Sequence, residues 1–460
     1  MIRYCARWVL PVTSPPIEDG VVACEDGVIR FVGKNGEAPS GDDVELGDSV
    51  LLPGLVNAHT HLELTAMRGF LEDLAFEDWI DTLRRSRAAV LDDDALLDSA
   101  RLGVLEGVEH GVTTFADTSA SGVTARAMRE CGVRGIMYQE VFGPDPATCN
   151  EAMSDLDRRV TALRTDETGL VRVGVSPHAP YTVSDDLYRA VARYAVANSL
   201  PIAMHIAESD AEQSLVCRGS GIFAKWHAKR GIPVHPRARS PIALLADLDA
   251  LPPGSLLIHA VNADLTDVRT VVRHRACIAH CPTSNAKFGH GIAPLDDFLA
   301  AGIDVGLGSD SVASNNRMDI LDEARMAVLS ANLRARSPRA LGAARAVALA
   351  TIGGARALGN ARVTGSLEPG KSADLAAFRL DTSRANPGRD PEAALVFALG
   401  GSRAYLVVVA GRHLVEQGEL MMQPGALHGR VTASGHALHT WRSEQLAGEP
   451  LAAKRSNPLV

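Results

Sequence analysis

The chain has 460 residues, 46% hydrophobic and 22% charged, with 46 Lys plus Arg against 55 Asp plus Glu for a net charge of -9. At roughly 100 to 200 residues per domain, this length predicts two or three domains or one large barrel with additions, and it excludes a peptide hormone or a lone binding module. The acidic balance, with no basic run able to track a phosphate backbone, argues against nucleic-acid binding. Seven scattered cysteines without a CxxC pair are poor material for a disulfide framework. The apolar stretch at the N-terminus is too short for a signal sequence, and no run of about 18 apolar residues occurs. The expectation is a cytoplasmic, enzyme-sized protein with a small-molecule partner and no membrane association, its oligomeric state open and a homo-oligomer included.

Residues 1–52 alternate short β-rich runs with turns, and VVACEDGVIRFVG carries a hairpin signal at Asp26-Gly27. From 53 to 358, apolar strands alternate with helix-like segments. The strands are LPGLVNAH, GVTTFADT, RGIMYQEV, VRVGVSPH, PIAMHIAE, GSLLIHAV, ACIAHCPT and DVGLGSDS. A βα repeat with this many strands predicts an α/β fold of the (β/α)8 TIM-barrel type. An open doubly wound sheet is the rival, but no GxGxxG follows the first strand. The connection from Ser209 to Gly254 is long for a βα unit and predicts a lid or substrate loop with extra helices. The β texture returns in SLEPGKSADLAAFRL and YLVVVAGRHLVEQGEL. Residues 359–425 therefore read as the second part of a small composite β-sandwich begun by 1–52, and 426–460 as a C-terminal tail.

In such a barrel, chemistry sits at the C-terminal strand ends. The polar residues there are His59, His61, Asp117, Glu140, His178, His205, Glu208, His259, His280 and Asp310. His59-Thr60-His61 is an i, i+2 pair, which on a strand turns both imidazoles to one face. Alone that is a weak signal. His205 by itself could be a core histidine, and Asp310 by itself a helix N-cap. Together, three neutral imidazoles and a carboxylate suit Zn²⁺ or another borderline divalent ion. Glu208 lies three residues after His205, so it joins the group only if the chain leaves strand geometry just after Ile206 or Ala207.

The strings PGLVNAHTHLE, HIAES, HAV, HCPTSNAKFGHGIAP and GLGSDSVASNN resemble the amidohydrolase superfamily, from the first barrel strand through the eighth and with the composite sandwich. The resemblance implies His59, His61, His205 and Asp310 as metal ligands. Members with two metals commonly bridge them through a carboxylated lysine on the fourth strand; here that strand reads VRVGVSPHAP, so one divalent ion is expected, Zn first with Fe or Mn as alternatives. The resemblance further implies that Asp310 accepts a proton from the attacking water, that His259 orients this water, and that Glu208 passes a proton to the ring nitrogen beside the attacked carbon, work suited to a partly desolvated carboxylate.

RGFLEDLAFEDWI resembles the loop after the first strand in adenosine-type deaminases of this superfamily, which implies Glu77 on the ribose hydroxyls with Trp79 beside it. SPHAPYTVS implies a nucleoside contact from His178, and YQEVFG and SVASNN add Gln139 and Ser314 as substrate contacts. The third strand departs from S-adenosylhomocysteine deaminases, which carry arginines there and just beyond; here the next arginine is Arg158, so an uncharged or differently placed 5′ substituent is expected. HTHLELT and QEVFG most resemble the aminodeoxyfutalosine deaminases. Methylthioadenosine, S-adenosylhomocysteine and adenosine are the alternatives, and a triazine hydrolase shares nearly the same metal shell. Cys281 and Cys277 read as structural, and Lys287 and His290 as loop residues near the site.

Overall fold

A computed structural model describes residues 1–448. The chain opens with β1 (Ile2–Val9), β2 (Ile17–Glu25), β3 (Val28–Lys34), β4 (Asp42–Glu45) and β5 (Ser49–Pro53). The β2–β3 hairpin turns at Asp26-Gly27 as expected, with φ of 52° and 74°. Glycine is required there twice over, because a Cβ on Gly27 would lie 2.5 Å from the Ala410 carbonyl oxygen.

The barrel follows with β6 (Leu55–Thr60), β7 (Val112–Ser119), β8 (Arg134–Val141), β9 (Val171–Pro177), β10 (Ala203–Ile206), β11 (Leu256–His259), β12 (Cys277–His280) and β13 (Val305–Leu307). These are the strands expected from the sequence. They form two parallel ladders, β6 to β9 and β10 to β13, joined by bridges Val175–Ile202 and Thr60–Asp310, so the ring closes. Each strand is almost wholly buried, which is why it reads as a continuous apolar run rather than an alternation. The intervening helices start at side chains that accept first-turn N–H groups, among them Asp92, Ser184, Ser209 and Asp264. Where β13 meets β6, glycine sets the distance: a Cβ on Gly308 would stand 2.9 Å from the backbone nitrogen of His59.

After the barrel come β14 (Leu375–Arg379), β15 (Leu406–Val409), β16 (Arg412–Glu416) and β17 (Glu419–Leu420). β14 pairs antiparallel with β5, so the two ends of the chain share one nine-stranded sheet over a core that includes Tyr4, Val22, Leu51, Leu375 and Val408. A buried ion pair, Arg134 Nε to Asp374 Oδ2 at 2.7 Å, fastens barrel strand β8 to this sheet.

The long connection after Ser209 is helical over Asp210–Arg218, Ile222–Lys229 and Pro241–Asp247. The segment expected as a C-terminal tail forms a helix, Leu427–Gly448, instead. Its Leu427, Val431 and Leu438 are buried, and it packs on the helices Phe76–Val90 and Asp93–Glu109. Three apolar residues on one helical face are too few to stand out in a polar sequence, yet enough to dock it. The rest of that expected tail, 449–460, lies outside the described residues. Among the described residues no helix is long and apolar enough to cross a membrane.

Candidate active site

Every expected metal ligand ends up at one point on the barrel mouth. His59 and His61 leave β6, and His205 sits on β10; a nitrogen from each can lie within 4.8 Å of the others. Asp310 arrives just after β13, with its Oδ1 3.2 Å from His59 Nε2 and 3.6 Å from His61 Nε2. The N-cap role falls to Ser311, whose side chain accepts from Ala313 N, which leaves the Asp310 carboxylate free to face the histidines. Its backbone has φ of 57°, a conformation Asp tolerates better than most residues.

The donor set fits a divalent ion. His61 Nε2 and His205 Nε2 face each other at 3.2 Å, and His59 Nε2 is buried with no hydrogen bond of acceptable geometry. Lone pairs converging in this way are costly unless a cation collects them. Burial lowers His59 to about 4 and pulls His61 and His205 down as well, so the rings are neutral and their nitrogens can act as ligands. Burial opposes charge on Asp310, but the surrounding imidazoles, His59 foremost, hold it well below the usual carboxylate range. Outer contacts aim the ligands: Thr118 Oγ1 lies 3.2 Å from His61 Nδ1, and Ser284 and Ser314 hydroxyls donate to Asp310 Oδ2 at 2.6 and 2.8 Å.

Glu208 meets the condition set by its spacing. β10 stops at Ile206, and Ala207 turns the chain with φ of 52°. Glu212 fixes that turn by accepting from Ala207 N and Glu208 N, both at 2.8 Å. The Glu208 carboxylate, buried, then lies 3.5 Å from His259 Nε2 and 3.7 Å from His290 Nε2. Burial first, then Asp310 and Glu212, raises its pKa well above the usual value. His259 is held through Nδ1, 2.9 Å from Asn285 Oδ1.

These groups open into a cavity of ≈ 290 Å³, at the small end of ligand clefts (~300 to 1,000 Å³). One wall is the helix Phe76–Val90, where Phe76, Trp79, Leu83 and Arg87 face inward at helical spacing. Trp79 packs edge-on to Phe288 with ring centroids 5.1 Å apart. His178 lines the cavity, hydrogen-bonded to Thr182 Oγ1 at 2.8 Å, and burial lowers its pKa to about 3. Glu140 lies nearby with one buried, unpartnered oxygen, and burial followed by Glu63 raises it to about 8.

Of the remaining expected substrate contacts, Glu77 sits between Phe76 and Trp79 at intermediate exposure, outside the cavity wall, and has no hydrogen bond or ion pair among the described residues. Gln139 turns away from the cavity and donates to the carbonyls of Ser119, Ala120 and Glu140. Ser314 serves Asp310, as above. Both point elsewhere because a strand-end or loop position sets where a residue is, and local unpaired acceptors set where its side chain turns. Lys287 pairs with Glu72, and Cys277 and Cys281 are buried free thiols. Sequence reasoning missed Arg87, Tyr181, Phe288, Asn285 and Glu212. Arg87 alone left a readable trace, eight residues after Trp79 and so on the same helical face.

Fold and site together define a class, the closed (β/α)8 hydrolases that carry a three-histidine, one-aspartate centre for a divalent ion. Residues 50–414 match the Amidohydrolase family, and the chain belongs to it, a hydrolase of carbon–nitrogen bonds. Among relatives, the chain is 31% identical over 442 residues to a 5-methylthioadenosine/S-adenosylhomocysteine deaminase of Moorella thermoacetica, covering 95% of this chain and 99% of that one. It is 30% identical over 418 residues to a 5′-deoxyadenosine deaminase of Methanothermobacter thermautotrophicus, covering 89% and 93%. Among solved structures, an adenosine deaminase from Xanthomonas campestris with bound zinc superposes with a TM-score of 0.86 at 27% identity, covering 95% of this chain and 98% of that one.

Proposed function

We propose that the protein is a hydrolytic deaminase that replaces the 6-amino group of an adenosine-type nucleoside by oxygen, with His59, His61, His205 and Asp310 holding one divalent ion, Zn²⁺ first. The observation that carries this reading is the buried Glu208, whose pKa burial raises well above the usual carboxylate value and whose carboxylate lies beside His259 at the edge of the ligand set. A hydrolase that attacks an amidine-like carbon needs such an acid to protonate the ring nitrogen as the tetrahedral centre forms. The activities of these relatives on adenosine derivatives support the same substrate class.

When bound, the ion supplies Lewis acidity, lowering the pKa of a water from ~15.7 toward ~7. The ionised Asp310 accepts the proton of the attacking water. His259, its Nδ1 tied to Asn285, presents Nε2 to orient that water. Glu208 donates to the ring nitrogen as the ring C=N electrons move onto it; the proton taken up by Asp310 then passes to the exocyclic amine, which leaves as ammonia, and the hydroxyl proton of the tetrahedral carbon returns to Glu208 as the C=O forms. Trp79 and Phe288 border the space for the purine, His178 lines the cavity where it would meet the nucleoside, and Glu77, outside the lining, would take the ribose hydroxyls only where the sugar emerges past Phe76 and Trp79.

Aminodeoxyfutalosine is the substrate favoured by HTHLELT and QEVFG, with methylthioadenosine, S-adenosylhomocysteine and adenosine next. The test is ammonia release from these four and from chlorotriazines. Turnover of at least one nucleoside ahead of the triazines is expected. Release from none of them, or triazine hydrolysis ahead of all, overturns the reading.

A further inference from the structure

His280, at the end of β12, takes no part in the deamination steps. Its neighbours Ala279 and Cys281 pack inside the ring, while Ile278 belongs to the outer layer, so strand parity turns His280 outward with Ile278. There it lines a second cavity of ≈ 340 Å³, between the segment 285–293 and the helix Ile320–Ala335. Asn285 lines this cavity too, and its Oδ1 lies 2.9 Å from His259 Nδ1, so one side chain touches both the second cavity and the catalytic histidine. His280 is 2% exposed and Asn285 1%. Even so, both ring nitrogens of His280 and the Asn285 Nδ2 are buried without a hydrogen-bond partner among the described residues. Buried polar groups left unpaired are costly, and here three of them belong to residues that line one cavity.

The chemistry of the lining defines a matching guest. Ile292, Met326, Leu329 and Leu333 form an apolar wall, and no Asp, Glu, Lys or Arg side chain lines the cavity. Burial lowers His280 to about 4, so its ring is neutral, with one nitrogen donating and the other accepting. A charged guest would lose its water here and gain no counter-ion. A neutral guest with an apolar body fits, provided that its polar edge both accepts and donates. A cis-amide has that edge: its C=O accepts from Asn285 Nδ2, and its N–H donates to the bare nitrogen of His280. Entry is from the outer side, where Leu329 and Leu333 are 46% and 71% exposed. We propose that this cavity is an effector site for an uncharged lactam with an apolar ring, held by Asn285 and His280 and coupled through Asn285 to His259. An acceptor on Nδ2 keeps the Asn285 amide from turning over. Oδ1 then stays on the Nδ1–H of His259, and the lone pair stays on the Nε2 that orients the water. Occupancy therefore raises turnover. The binding site goes beyond the deaminase reading above, and the effect on rate rests on it.

The experiment uses 3,4-dihydroquinolin-2(1H)-one, which carries this edge on a fused ring, and its N-methyl derivative, which has lost the N–H. In calorimetric titration of the metal-loaded enzyme the lactam is expected to bind and the N-methyl form to bind roughly 2- to 10-fold more weakly, the range for one neutral hydrogen bond. Binding should be lost in Leu329→Trp, which fills the cavity from its solvent side, away from the catalytic mouth. With 5′-deoxyadenosine as substrate the lactam should raise kcat by roughly 5-fold, the low end of couplings between sites, at unchanged KM, and should have no such effect on Leu329→Trp. No binding to the unmodified enzyme, or equal binding of the two compounds, overturns the proposal even if Leu329→Trp fails to fold. Binding retained in a folded Leu329→Trp, competition with 5′-deoxyadenosine, or binding with no change in kcat overturns it as well. Self-association that Leu333→Glu abolishes, in place of lactam binding, assigns the apolar wall to a second copy of the chain and likewise overturns it. Absence of deamination from every nucleoside removes the function proposed above, while calorimetry still decides the site.

Discussion

The two halves of the active-site mouth are built differently. On the metal side the side chains leave the ends of short strands, and four of them are fixed by neighbours: Thr118 at His61, Asn285 at His259, two serines at Asp310, Glu212 beneath Glu208. On the opposite side a single helix, Phe76–Val90, supplies much of the wall. Its inward side chains are set by helical spacing and by few polar contacts, the Trp79 Nε1 bond to Ala313 O at 3.4 Å among them. On the proposed reading, chemistry rests on rigid strands, where small displacements are costly, and substrate choice on a helix that can change without altering the ligand set.

The sharpest break in that contrast comes from the shell itself. His205→Ala or Asp310→Ala should leave well under one equivalent of metal and almost no turnover, because each leaves an incomplete ligand set; stoichiometric metal with full activity, measured by elemental analysis alongside rate, would show the shell is assigned wrongly. Next, Glu208→Gln should keep the metal and lose ~10² to 10⁴ in kcat. Because burial raises the Glu208 pKa, its protonated form persists to higher pH than that of an ordinary carboxylate, and the unmodified enzyme should lose activity on the alkaline side as that proton leaves. The Gln variant should lack this limb, and a persistent limb would assign it to another group.

The helix side predicts smaller and more selective effects. Glu77→Ala should cost a nucleoside roughly 10- to 150-fold in kcat/KM if its carboxylate grips ribose hydroxyls, while adenine, which lacks the sugar, should be little affected; equal losses on both would mean general damage. The smallest effect lies behind this wall. Asp98 accepts from Arg430 of the C-terminal helix at 2.5 Å, and that bond first of all lowers its pKa. A depressed carboxylate stabilises above its unfolded pKa and loses that contribution as pH falls through the folded value. Asp98→Asn should therefore lower Tm slightly at neutral pH and make no difference in acid; a Tm gap that persists in acid would show that charge is not what joins the two helices.

How much of this the sequence revealed divides along the same line. The barrel was legible because parallel strands buried on both faces read as apolar runs that end in polar residues, and His59-Thr60-His61, a weak signal alone, gained weight from His205 and Asp310 at other strand ends. Glu208 was legible only conditionally, since its place depends on the left-handed turn at Ala207, and Glu212, which holds the turn, gave no signal of its own. Gln139 and Ser314 were expected to contact substrate, but a place on a strand or loop end does not say which acceptor a side chain will find, and both turn to protein partners instead. Phe76, Trp79, Leu83 and Arg87 formed a visible helical stripe. In one dimension such a stripe looks like any face packed on a core, and only closure of the ring turns it toward a cavity.

That closure has a consequence at the seam between β6 and β13. There the backbone of Asp310 donates to His59 O at 3.0 Å, Asn57 and Ser309 exchange hydrogen bonds at 2.7 and 3.0 Å, and Gly308 lets the strands approach. His59 and His61 lie at the end of the first strand of the ring and just beyond it, and Asp310 follows the last, so a cation shared among them would join the two ends of the barrel and, binding the folded chain only, stabilise it by its binding free energy. The ligand set is then a removable rivet, and chelation should loosen the ring as well as silence the site, tying the protein's persistence in a cell to its metal supply.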